Sequence, residues 1–227
     1  MRSIRTLLVS ALLVTTTTCM AQGFATPLEG TSIMMSKEVH AILLDGTDLV
    51  GTVGSCMLNM GQLQSLTLKD AAGEKRKLKA EELSELRVKP TKMDNIGAML
   101  SQPNLQAMIT QDFSKSLDRE WCYFVQTSPP GKDKKVMMQL LNPGFDKKMK
   151  VFVDPMAQET ASGEDKSYFV VKEGSGEAIK VKKGSYSKEA LKSIFNDCKV
   201  MVDNYAGDKM KLRDFAEHVF VFEQLCQ

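Results

Sequence analysis

Few side chains in this sequence are spaced to act on one another, and the densest group is VFVDPMAQET, residues 151–160. It sets Asp154 and Glu159 close in the chain, with Pro155 stiffening the link between them. Glu164 and Asp165 follow in SGEDK, so four carboxylates fall within residues 154–165. A carboxylate pair can divide acid and base roles in hydrolysis. An acidic loop can also hold calcium, which takes roughly six to eight oxygens. The spacing is not that of an EF-hand, and Lys166 stands among the acids. Turn chemistry is therefore the first reading. Asp before Pro favours an extended or turn backbone, and the hydroxyls of Thr160 and Ser162 can bond back to the chain. Asp154, Glu159 and Thr160 are kept as candidate ligand-binding residues, with calcium binding and hydrolysis through Asp154 and Glu159 as alternatives.

Nucleophilic catalysis needs a base beside the nucleophile, and His40 and His218 are the only two histidines. His40 falls mid-strand in EVHAI and His218 falls in AEHVF, so both read as surface or partly packed residues. A Cys56–His40 enzyme is an alternative that a disulfide role for the cysteines counts against. No G-x-S-x-G elbow or phosphate-binding loop occurs, and Gly174 and Gly176 in KEGSGEAIK mark a hairpin. The remaining constellation is CMLNM, which groups Cys56, Met57 and Met60, with Met34, Met35 and His40 upstream. Thiol and thioether ligands suit Cu(I), although methionine is also a common gap-filler in cores. No cofactor is implied.

The first residues set the compartment. Arg2 and Arg5 precede an apolar run, Leu7 to Val14, and a small residue stands at Ala21, the pattern of a cleaved secretory signal over residues 1–21. The run is far shorter than the ~20 residues a membrane-spanning helix needs, so no transmembrane segment is expected. Lipidation at Cys19 is the alternative, but Thr16, Thr17 and Thr18 occupy the places where an apolar and a small residue belong. The leader carries two of the 30 basic residues and none of the 28 acids, leaving 28 against 28 beyond it. That balance gives little general attraction to nucleic acid or an anionic membrane. The partner expected is an unknown ligand or an envelope protein, in the periplasm or outside the cell. Cys56, Cys122, Cys198 and Cys226 remain, and an even count in an oxidising compartment favours disulfides. Zinc would need close pairs such as C-x-x-C, and none occurs.

The elements that must carry these residues fall into an α+β order. Residues 36–90 read as five short strands with one helical turn, a small SH3-like or Sm-like barrel. The Asp45-Gly46 dipeptide is its strongest hairpin signal. Residues 91–119 are Met-rich and broken by Pro103, a helical linker or flap. Residues 120–227 form a second domain. It has strands at 121–126, 136–141, 149–153, 167–172 and 178–182, then two amphipathic helices. Alternation in KMKVFVD and AIKVKK predicts a mostly antiparallel sheet with one wet face. Ser187 is the expected N-cap of the first helix. If residues 199–210 double back, Cys198 and Cys226 come together and staple the last helix.

Four short motifs in this half, DPMAQET, KSYFVVK, SIFNDC and DFAEHV, resemble an uncharacterised group of exported Bacteroidetes proteins. The resemblance covers roughly residues 120–226. It implies export and the fold, and no activity. The function expected is a non-catalytic binding or envelope-associated role.

Overall fold

The computed structural model describes residues 24–28, 30–60, 62–94, 120–157, 167–205 and 211–226. The barrel starts at the Asp45-Gly46 turn, where Gly46 takes a φ of 85° and Asp45 Oδ1 accepts from the Thr47 N–H at 2.9 Å. This folds β1 (Val39–Leu43) onto β2 (Asp48–Asn59) in antiparallel register. β2 continues onto β3 (Gln62–Lys69), and the Asp70–Glu74 turn returns β4 (Lys75–Lys79) to β3. A 3-10 turn over Ala80–Glu82 then leads into β5 (Leu83–Val88). Glu82 fastens that turn by accepting from the Lys79 N–H at 2.7 Å. The Gln126 amide donates to the carbonyls of Ala80 and Leu83 at 2.8 and 2.9 Å.

β5 pairs with β1 on one side and with β6 (Cys122–Thr127) on the other. β6 pairs with β7 (Val136–Gln139), and β7 reaches back to β3 at Met137 and Leu63. The ring β1-β5-β6-β7-β3-β2 closes a six-stranded antiparallel barrel, with β4 paired to β3 alone and its Leu78 turned into the same core. Residues 36–90 thus supply four of the ring strands. β6 and β7, expected in the C-terminal sheet, supply the other two. Val39, Ala41, Leu66, Leu78, Leu86 and Phe124 meet inside. Gly51 is needed for the fit, because a Cβ there would lie 2.3 Å from the Lys69 carbonyl oxygen.

The second sheet is a three-stranded meander of β8 (Met149–Val153), β9 (Ser167–Lys172) and β10 (Ile179–Lys182). It is joined to the end of β7 by a bridge between Leu140 and Phe152. One face packs under α2 (Lys188–Ile194), α3 (Lys199–Tyr205) and α4 (Phe215–Leu225) through Val151, Val170, Leu191, Phe195, Phe215 and Phe222. The α+β class expected is therefore the one observed. Ser187 caps α2 by accepting from the Ala190 N–H. Cys198 and Cys226 stand at disulfide distance, with Cα atoms 5.4 Å apart. The other face departs from expectation. Phe152 and Phe169, 1% and 7% exposed, pack against Val136, Met138 and Leu140 from the barrel's outer side. That face is dry because the barrel wall continues into it.

Ahead of β1, α1 (Gly30–Met35) buries Ile33 against the barrel core. Residues 24–28 strap the two layers together. Ala25 N–H donates to Leu141 O at 2.7 Å, and Leu28 N–H donates to the Gln139 side chain at 2.7 Å. Phe24 meets the rings of Tyr168 and Phe215 at 5.0 and 5.8 Å. Of the helical segment expected at 91–119, residues 95–119 lie outside the described residues.

Candidate functional site

Asp154 follows directly on β8, and its side chain is wholly inaccessible. Its Oδ1 accepts from the Met156 N–H at 3.0 Å, and its backbone carbonyl accepts from the Ala157 N–H at 3.0 Å. Its Oδ2 accepts from the Ser167 hydroxyl at the start of β9 and from Lys180 Nζ on β10, the latter at 2.7 Å. One carboxylate therefore ties together the ends of three strands. Burial opposes its ionisation, but the bonds from Lys180, Ser167 and Met156 N–H outweigh it and hold the carboxyl below the usual carboxylate range. Among the described residues, the carboxylate is turned to Met156, Ser167 and Lys180. Glu159 and Thr160, the residues expected to share its work, lie outside the described residues, as do Glu164 and Asp165.

The soft-metal group is divided by strand geometry. Successive side chains on a strand point to opposite faces. Cys56 is partly buried against the barrel core, while its neighbour Met57 is 56% exposed. Burial pushes the Cys56 thiol up, away from the thiolate that binds metal. Met60 is equally exposed, on the β2–β3 turn with a φ of 49°. Among the described residues no three of His, Cys, Asp and Glu cluster to hold a metal ion. His40 projects from the outer side of the barrel, away from the inward-facing Cys56.

His218 is buried rather than at the surface, at 6% exposure. The stripe of α4 that faces the core includes it because Tyr186 gives it a polar partner, with 2.6 Å between Tyr186 Oη and His218 Nδ1. Burial keeps the Tyr186 phenol protonated and pushes the His218 imidazole down towards its neutral form. Tyr186 therefore donates to Nδ1 of a neutral ring, and the ring proton sits on Nε2. Tyr205 lies edge-on to the same ring at 5.2 Å. This pair is a satisfied piece of core.

The outer wall of the barrel offers the chemistry that the acids do not. Across β1, β5 and β6 the register aligns His40 with Arg87 and Tyr123, and Ile42 with Glu85 and Val125. Beyond the strand ends, Lys89 N–H donates to Glu38 O at 3.0 Å. Lys89 Nζ stands 5.5 Å from the Trp121 ring and Arg87 6.0 Å from the Tyr123 ring, so each aromatic carries a cation on its face. The cations are paired in turn, Arg87 with Glu85 at 2.5 Å and Lys89 with Glu38 at 2.9 Å. His40 bonds to Asp48 at 2.9 Å and to Glu38 at 3.4 Å. The Asp48 contact, with help from Glu38, outweighs partial burial and raises its pKa above the ordinary value.

Beside this wall runs a cleft of about 680 Å³, lined by Arg87, Tyr123, Pro143, Asp146 and Lys150 among others. A second hollow of about 340 Å³ shares Tyr123, Leu140 and Pro143 with it and continues to Trp121, Phe24 and Phe145. The two hollows adjoin at these three residues, beside the β7–β8 loop. Sequence reasoning passed over them. The alternation was visible, since Trp121, Tyr123 and Val125 share one face of EWCYFV, and Glu85, Arg87 and Lys89 share one face of ELRVK. Only the pairing of β5 with β6 makes the two runs neighbours. No family model, curated protein or solved structure matches the chain.

Proposed function

We propose that this protein is an exported, envelope-associated binding module that holds its ligand, without transforming it, in the groove centred on Tyr123. The observation that carries this reading is the juxtaposition of Trp121 and Tyr123 with Arg87 and Lys150 along the two adjoining hollows, with Lys89 over the Trp121 ring. Such a lining suits a ligand with a flat apolar face to lie along the rings and polar groups for the cations. A non-catalytic role is supported by how three acids of the barrel wall are used, although Glu120 and Asp146 also line the hollows. Glu38, Glu85 and Asp48 are each engaged by a cation or by His40, and Asp154 is enclosed by its own donors. Export is supported by the leader pattern, by a cysteine pair at disulfide distance and by the resemblance of residues 120–226 to exported Bacteroidetes proteins.

Trp121 is the single tryptophan of the chain, so its fluorescence reports on the groove without labelling. Titration with a panel of oligosaccharides and peptides should give a saturable change with at least one class. Tyr123→Ala and Arg87→Ala should each weaken it about tenfold or more while leaving the circular dichroism unchanged. A ligand found by other means that leaves Trp121 emission unmoved, and binds both variants as tightly, would refute the assignment.

A further inference from the structure

A second surface, on the far strands of the barrel, carries a charge pattern that the overall balance hides. The register of β3 and β4 places Lys69 opposite Lys75, Thr67 opposite Lys77 and Ser65 opposite Lys79. On the next strand Thr52 pairs with Lys69, Ser55 with Thr67 and Met57 with Ser65. Lys69, Lys75, Lys77 and Lys79 therefore share one outward face, all four exposed. None of them has an ion-pair partner among the described residues.

Like charges directly opposite on a sheet are destabilising, so the Lys69–Lys75 pairing needs a reason. Lysines on a free strand edge discourage edge-to-edge aggregation, which accounts for β4 but not for Lys69, because β3 is paired on both sides. The end of the same face is apolar. Met57, on that face, and Met60, at the β2–β3 turn beyond it, are each 56% exposed, whereas Leu58 pairs with the core residue Leu63 and turns to the opposite face.

We propose that this face docks on an anionic lipid surface, the four lysines on the headgroups and the hairpin methionines at the acyl boundary. Alternate residues on β4 stand ~7 Å apart, so Lys75, Lys77 and Lys79 reach neighbouring headgroups along a line. A cationic face ending in exposed apolar side chains is the arrangement by which peripheral proteins combine electrostatic attraction with shallow insertion. A soluble polyanion would use the lysines and leave the methionines without a role, which is why a bilayer is the better fit.

The test is co-sedimentation of residues 22–227, the chain beyond the leader, with phosphatidylcholine vesicles, pure or mixed with phosphatidylglycerol. The apolar leader is then absent, so binding to either vesicle reports on the folded surface. The expected result is binding to the anionic vesicles that weakens in high salt. It should fall about fivefold for each lysine changed to Gln, so roughly twenty-five-fold for Lys75→Gln with Lys77→Gln. Met57→Ser with Met60→Ser should also reduce it, at low salt as at high. Unchanged binding in the lysine pair, equal binding to uncharged vesicles, or capture of heparin with no vesicle binding would overturn the proposal. The surface is separate from the Tyr123 groove. Trp121 emission monitors that groove in the same samples, so failure of one reading is distinguishable from failure of the other.

Discussion

Replacing Asp154 with Asn should cost about 2 kcal/mol of stability at neutral pH, and the figure follows from its donors. The carboxylate receives Lys180 Nζ at 2.7 Å, the Ser167 hydroxyl, and the Met156 N–H at 3.0 Å. Hydrogen bonds to a charged acceptor contribute roughly 1.5–3 kcal/mol each when buried. Lys180 is 44% exposed, so solvent screens its pairing to under about 1 kcal/mol. The asparagine keeps one acceptor oxygen and hence part of the turn, but offers an N–H where Ser167 and Lys180 need an acceptor. The loss of roughly one strong bond and the screened pair, less the relief of no longer burying a charge, gives the estimate. The pH dependence adds a sign. The folded-state pKa is depressed, so the contribution is present above the unfolded value of about 3.9 and is lost as pH falls through the folded value. Urea denaturation of both proteins at neutral pH and at several acid values is the assay. The gap in midpoint should be full at neutral pH and narrow progressively below about pH 4. Equal midpoints at neutral pH, or a gap that persists undiminished into strong acid, would refute the role given to the carboxylate.

Cys198→Ser opens a loop of 28 residues, which corresponds to about 3.5 kcal/mol of lost stability. Denaturation in non-reducing buffer measures it, and an unchanged midpoint would show that the pair does not staple α4. The two histidines should titrate on opposite sides of the ordinary value near 6.5, His40 above it and His218 below it. Nuclear magnetic resonance of the ring protons separates them. His40 then contributes stability at low pH that fades as pH rises through its folded value. His218 contributes stability above about pH 6.5 that is lost on acidification. Coincident midpoints would refute the burial of one and the carboxylate contacts of the other.

What was legible in the sequence was local. Asp45-Gly46, the Asp70–Glu74 turn, the helical turn before β5 and the Ser187 cap are encoded in a few adjacent residues, and each forms where its residue types demand. The Cys198–Cys226 approach was legible too, because two helices and one turn leave little choice of path. Partnership between distant strands was not. Nothing in LSELRV and CYFVQT states that one lies beside the other, and the groove depends on that fact. The same limit hid the dry face of the second sheet, since the alternation of β8 shows that a face exists without showing what covers it. Residue type misled at His218, where a histidine on an apolar stripe is buried because a phenol 32 residues earlier receives it.

The closure of the barrel by strands from both sides of residues 95–119 has a consequence for cutting the chain. β5 and β6 pair directly although 33 residues, 89–121, separate them in the chain. A break within 95–119 would yield two pieces, and each would lack strands the ring requires. The first would expose the edges of β3 and β5, and the second would expose the edges of β6 and β7. Each piece carries the other's missing ladder, so the pair are natural candidates for reassembly from separate chains. Single-site cleavage in this interval would leave a nicked but closed molecule.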